Sequence, residues 1–174
     1  MRLFIAIEIP LEIKNGVLKI TQKLKLIKGV RIVKQENIHL TLYFLGDIRN
    51  IQAVVKKLKT IKFSTFEVVV EGAGFFPNNN NIKVAWLGIK KNKNLEDLRK
   101  KIHSLFGSKE KYVPHLTVAR IGFISEYDKQ KLKEIMAIER NSMTFKVDKF
   151  RLYSSELTPL GPVHRVVESF VATE

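Results

Sequence analysis

One eight-residue segment occurs twice in this chain, and any fold must find a use for both copies. Residues 39–46 read His-Leu-Thr-Leu-Tyr-Phe-Leu-Gly, and residues 115–122 read His-Leu-Thr-Val-Ala-Arg-Ile-Gly. His, Leu, Thr and Gly coincide in register, while Leu42 and Leu45 are matched by Val118 and Ile121. Two of only four histidines head this pattern, 76 positions apart in a chain of 174. That spacing is close to half the length, and each copy is followed by a helical stretch, so the pattern predicts a duplicated half-domain. Side chains on a strand alternate between faces. Ile38, Leu40, Leu42 and Phe44 are therefore expected to face a core, with His39, Thr41 and Tyr43 outward. In the second copy Leu116 and Val118 face inward, and His115, Thr117 and Ala119 face out. Two such strands side by side would bring two imidazoles and two hydroxyls to one small site.

Along the chain the apolar period switches repeatedly between two and 3.6 residues. Leu3, Ile5, Ile7 and Ile9 predict a strand that Pro10 ends. Ile13, Val17, Ile20, Leu24 and Ile27 then trace one face of a helix. Residues 31–45 read as a strand interrupted at Asn37, and 51–61 as a second helix. Strand patterns at 66–72 and 82–89 flank Phe75, Phe76, Pro77 and four asparagines, which read as a turn. Leu95, Leu98, Ile102 and Leu105 mark a third helix, with Gly107 as its stop. A strand from Pro114 to Ile121 follows, then a helix capped by Ser125 with Asp128, then strands at 145–153 and 163–171.

This pattern of seven or eight strands and four helices lacks a regular βαβ series and a glycine-rich loop after the first strand. A dinucleotide fold is therefore not expected. The pattern predicts an α+β fold, antiparallel sheets with helices on the outside. No flexible linker marks a second unit, so residues 1–174 are read as one domain.

Composition narrows the function classes. The chain has no cysteine, which excludes disulfides, thiolate metal sites and a cysteine nucleophile. A net charge of +14 favours polyanionic partners, although a lysine-rich solubilising surface gives the same balance. No apolar run approaches the roughly 18 residues that would span a bilayer. Met1–Pro10 reads as a first strand and not as a secretion signal, so a cytoplasmic location and no membrane partner are expected.

The residue types of the two octets suit chemistry at a phosphodiester. An imidazole titrates near pH ~6.5, so one can accept a proton while its partner donates one. Threonine hydroxyls can donate to non-bridging phosphate oxygens. Threonine is a poor metal ligand and neither octet carries a carboxylate, so no metal and no cofactor are expected. Of the other histidines, His103 lies among Arg99, Lys100 and Lys101 and reads as a surface residue. His164, after Pro162, is a minor candidate for substrate contact.

With these motifs the sequence resembles the 2H phosphoesterase superfamily, and within it the RNA 2',3'-cyclic phosphodiesterases, also called 2'-5' RNA ligases. The resemblance begins at residues 2–10, Arg-Leu-Phe-Ile-Ala-Ile-Glu-Ile-Pro, and continues through both octets, the second preceded by Pro114. It implies a bilobal fold of two pseudo-symmetric antiparallel sheets enclosing a cleft. It also implies a quartet of His39, Thr41, His115 and Thr117, with Arg120 on the phosphate. Strict alternation from His115 puts Arg120 on the core side, so that role requires the strand to end, twist or bulge. Tyr43, on the predicted face of His39, is expected either to stack on a base or to pack.

The expected reaction is opening of 2',3'-cyclic phosphate ends to 2'-phosphates, reversible in principle as 2'-5' joining. The expected partner is RNA bearing such ends, tRNA halves among the candidates. A monomer with no obligate protein partner is expected. The rival readings are an RNA-end-binding module without turnover and a phosphodiesterase for small cyclic nucleotides.

Overall fold

The alternation at the start of the chain does build a strand, β1 (Arg2–Glu8), and the helical period after Pro10 builds α1 (Leu11–Leu24). Then come β2 (Val30–Ile32), a 3₁₀ turn (Gln35–Asn37), β3 (His39–Asp47), α2 (Ile51–Leu58), β4 (Phe66–Pro77) and β5 (Ile82–Ile89). The remainder is α3 (Lys93–Phe106), β6 (His115–Ile121), α4 (Glu126–Ile138), β7 (Met143–Val147), β8 (Lys149–Thr158) and β9 (Gly161–Val171). The computed structural model describes residues 1–107, 112–138, 142–159 and 161–173. Among them no helix is long and apolar enough to cross a membrane.

Local chemistry sets the helix ends. Asn50 and Asn92 accept hydrogen bonds from the amides of Ala53 and Leu95, each at 3.0 Å, and so cap α2 and α3. Gly107 ends α3 with a φ of 70°, a conformation that costs glycine nothing. The Ser125 hydroxyl accepts from the amide of Asp128 at 3.1 Å and starts α4 as expected.

All nine strands form one antiparallel sheet in the order β7-β4-β5-β6-β3-β1-β8-β9, with β2 beside β6. At its centre β3 and β6 meet through a single pair, Leu40 with Leu116. The sheet nearly divides there, giving the two pseudo-symmetric lobes. Asp148 alone separates β7 from β8, yet these strands stand at and near opposite ends of the order. The sheet must therefore curl until its ends approach one another. The helices take the apolar side: α3 packs on β3, α1 on β6 and β7, and α4 on β4. The two lobes share one continuous apolar core.

The lobes are not the sequence halves. Strand β4 follows α2 but pairs with β5, and β8 pairs with β1 in the other lobe. Helix α1 leaves β1 and covers the far lobe, while α3 leaves β5 and covers β3. Each half thus completes the other's sheet.

Three boundaries differ from expectation. Residues 145–153 form two strands, because the chain passes from one lobe to the other at Asp148. β4 runs on to Pro77, so Phe75 and Phe76 pair with Ala85 and Val84 and belong to the sheet, not to the turn. The strand expected over 31–45 is interrupted at Asn37 as read, by the 3₁₀ turn, but its first part leaves β3 to pair with β6.

Candidate active site

The two octets form strands with the same irregularity. Along β3, His39, Leu40 and Thr41 stand opposite Glu8, Ile7 and Ala6, whereas Tyr43 and Phe44 stand opposite Ile5 and Phe4. Leu42 is the extra residue. Along β6, His115, Leu116 and Thr117 stand opposite Gly88, Leu87 and Trp86, whereas Ala119 and Arg120 stand opposite Ala85 and Val84. Val118 is the extra residue, at the position equivalent to Leu42. Such a bulge inserts one residue and reverses the alternation beyond it. In β6 the mark is two buried residues in succession, Val118 and Ala119.

The bulges decide which side chains share the cleft. Past Leu42 it is Phe44, 70% exposed and 6.1 Å ring to ring from Phe4, that returns to the face of His39. Tyr43 turns the other way, against the expectation of a shared face. Its hydroxyl donates to the Gly107 carbonyl at 2.5 Å, and its ring meets His103 edge-on at 4.7 Å. His103 is accordingly half-buried and not a free surface residue. Past Val118 the same reversal brings Arg120 out, exposed, onto the face of His115 and Thr117. The strand bulge that its phosphate role requires is therefore present.

The register at the seam arranges the quartet. With Leu40 opposite Leu116 in antiparallel strands, continuing that register sets His39 across from Thr117 and Thr41 across from His115. Each histidine is held alike. His39 Nδ1 lies 2.8 Å from the Asn37 carbonyl, and His115 Nδ1 lies 2.6 Å from the Val113 carbonyl, in both cases two residues back. A carbonyl only accepts, so Nδ1 must carry the proton. Nε2 is then the nitrogen left to take or give a proton in each ring. The Tyr112 hydroxyl donates to the Thr41 carbonyl at 2.8 Å and ties the approach to β6 onto β3.

Aromatic walls complete both sides. Phe4 lies 4.8 Å from the His39 ring and stacks on Tyr153 at 5.1 Å. His164 meets His39 edge-on at 5.5 Å. Phe76 meets His115 edge-on at 4.9 Å, with Trp86 at 6.0 Å. Gly74 makes room for Trp86, since a Cβ there would lie 2.2 Å from its ring.

Burial pushes His39 down to about 4, helped by the charges of His164, His115 and Lys14 and opposed by the Asn37 carbonyl. Burial also lowers His115, against the pull of the Val113 carbonyl. Both shifts favour the neutral imidazole in the free protein. Glu8, beside His39 in the register, is bound by Arg151 at 2.7 Å. Among the described residues no group of three or more His, Asp or Glu side chains could hold a metal ion.

A family model described as LigT like phosphoesterase matches the chain twice, over residues 7–86 and 87–164, one octet in each. The chain belongs to the LigT-like phosphoesterases. An RNA 2',3'-cyclic phosphodiesterase of Methanocaldococcus jannaschii is 36% identical over 98% of this chain and 100% of its own length. One of Thermotoga maritima is 36% identical over 96% of this chain and 93% of its own. Among solved structures, E. coli LigT complexed with 3'-AMP superposes with a TM-score of 0.79 at 23% identity, covering 99% and 98% of the two chains.

The LigT-like site thus holds more than the sequence reading found. Phe4, Phe76, Trp86 and Tyr153 line it from strands whose own patterns carry no signal of it. His164 is brought in by the β8–β9 hairpin and by Asn37, whose side-chain amide donates to the Pro162 carbonyl at 2.9 Å. Asn37 therefore orients His39 through its carbonyl and anchors β9 through its side chain.

Proposed function

We propose that this LigT-like phosphoesterase hydrolyses 2',3'-cyclic phosphate ends of RNA, with His39 and His115 as base and acid. The observation that carries this reading is the matched pair of imidazoles, each with Nδ1–H on a carbonyl and Nε2 free, crossed with two threonines over one seam. His39, the more deeply depressed of the two, suits the base and His115 the acid. The names of the relatives at 36% identity supply the RNA substrate.

In the proposed step Nε2 of His39 takes a proton from water as its oxygen attacks the cyclic phosphorus. The bond to the ribose 3'-oxygen breaks, and His115, in its charged form with protons on both Nδ1 and Nε2, gives the Nε2 proton to that oxygen. The products are a 2'-phosphate and a free 3'-hydroxyl, and a proton must pass between the histidines or solvent before the next turnover. Thr41 and Thr117 donate to the non-bridging oxygens, and Arg120 neutralises their charge. With a 5'-hydroxyl in place of water, the same groups acting on the cyclic phosphate would form a 2'-5' bond as the bond to the 3'-oxygen breaks. Phe44, not Tyr43, takes the position of the cleft aromatic.

Substrate choice tests the division of roles. On a diester with a low-pKa leaving alcohol, His115→Ala should recover most of its lost rate, because the leaving group no longer needs a proton. His39→Ala should not recover. Equal recovery of both variants would overturn the assignment.

A further inference from the structure

Strand β2 puts a second arginine against the first. Arg31 stands directly opposite Arg120 in the β2–β6 pairing, between Val30 with Ile121 and Ile32 with Ala119. Directly opposed residues share a face. Arg120 also stands opposite Val84 of β5, two residues along that strand from Trp86, which stands opposite Thr117. Arg31, Arg120 and Thr117 therefore line one face, with the arginine pair about 7 Å along the strand from the threonine. Both arginines are exposed, and neither has a carboxylate within ion-pair distance among the described residues. Like charges directly opposed weaken a strand pair unless an anion lies between them. The other lobe carries no such charge, since the position equivalent to Arg120 there is the exposed Phe44.

We infer that Arg31, directly opposite the Arg120 that serves the reacting phosphate, binds the phosphodiester one nucleotide upstream, and so makes the enzyme prefer an oligonucleotide to a mononucleotide. This rests on the function proposed above, in which the quartet holds the terminal cyclic phosphate. The next phosphate of the strand lies on the 5' side of the same ribose, and Arg31 is the member of the arginine fork left to meet it. Guanidinium groups suit the role because they bind phosphate oxygens in pairs and keep their charge throughout. Such a contact reads the backbone and not the base, so it would act on any RNA sequence. Just past Gly122, Phe123 is 96% exposed and extends the chain beyond this fork.

The test compares a 2',3'-cyclic mononucleotide with a trinucleotide ending in the same group, using wild type, Arg31→Gln and Arg31→Glu. The ratio of kcat/KM for trinucleotide over mononucleotide should fall about tenfold in Arg31→Gln, the effect of one charge-assisted phosphate contact. It should fall further in Arg31→Glu. The salt dependence of log kcat/KM on the trinucleotide should become shallower by about 0.7 in Arg31→Gln, as for one lost phosphate contact on a single strand. An unchanged ratio in both variants would overturn the proposal. If wild type turned over neither substrate, the activity reading would fail instead. Affinity for a trinucleotide bearing a 2'-phosphate would then decide: weaker binding by Arg31→Gln sustains the upstream site, and equal binding overturns it.

Discussion

Replacing His39 by Gln should change how stability responds to acid. In the unfolded chain His39 takes up a proton near its ordinary 6.5, whereas in the folded protein burial lowers it to about 4. Between those two values the unfolded state binds more protons than the folded state, so acid draws the equilibrium toward unfolding. The contribution of neutral His39 is complete above about pH 6.5 and is lost as pH falls toward about 4. At ~1.4 kcal/mol per tenfold change in proton activity, wild type should lose about 2 kcal/mol more than His39→Gln between about pH 7.5 and about pH 5. Glutamine does not titrate, and all other groups are common to both proteins, so the comparison isolates this one side chain. Urea unfolding of both proteins at each end of that range gives the difference directly. Parallel loss of stability in the two would refute the claim that His39 is held neutral by burial.

Four further outcomes follow from the same geometry. If His39 is the base and His115 the acid, kcat/KM should be bell-shaped with its maximum between about 4 and 6.5, because both groups are lowered in the free protein. A profile that is flat or still rising at pH 8 would count against the pair. Tyr43→Phe should cost about 1 kcal/mol in urea unfolding, from the lost bond to Gly107, with kcat unchanged; a large loss of kcat would return Tyr43 to the cleft. Gly74→Val should destabilise by roughly 1–3 kcal/mol and lower kcat, because its side chain would displace Trp86 from beside His115; wild-type melting and turnover would contradict that packing. Turnover should be unaffected by EDTA, given a site of imidazoles, hydroxyls and an ion-paired Glu8; loss of activity restored by a divalent metal would refute this.

What the sequence disclosed and what it hid divide along physical lines. The repeated octet singled out His39, Thr41, His115 and Thr117 as candidates, because identical residue types in identical register are a local signal. The helix stop at Gly107 and the cap at Ser125 were equally local, being choices made by one or two backbone groups. The faces of Tyr43, Phe44 and Arg120 were not legible, because a bulge at Leu42 or Val118 is defined only against the partner strand. Strict alternation is a property of an isolated strand, and it failed one residue past each bulge. Asp148 gave no warning either, since passing between lobes leaves no break in the apolar pattern of 145–153. The aromatic walls reach the site through strand order, which also brings in His164, only a minor candidate from the sequence, and links residues more than a hundred positions apart.

The action of two histidines on one phosphate is measured most directly by hydrolysis of an RNA oligomer ending in a 2',3'-cyclic phosphate. Wild type, His39→Ala, His115→Ala and the double variant would be compared, with the product end identified as 2' or 3'. The account predicts a 2'-phosphate from wild type and a loss of about 10²–10⁴-fold in each single variant. The double variant should be little worse than either single one, since the two groups work in one concerted step. Near-wild-type turnover by either single variant, or no turnover by a folded wild type that still binds the oligomer, would contradict it.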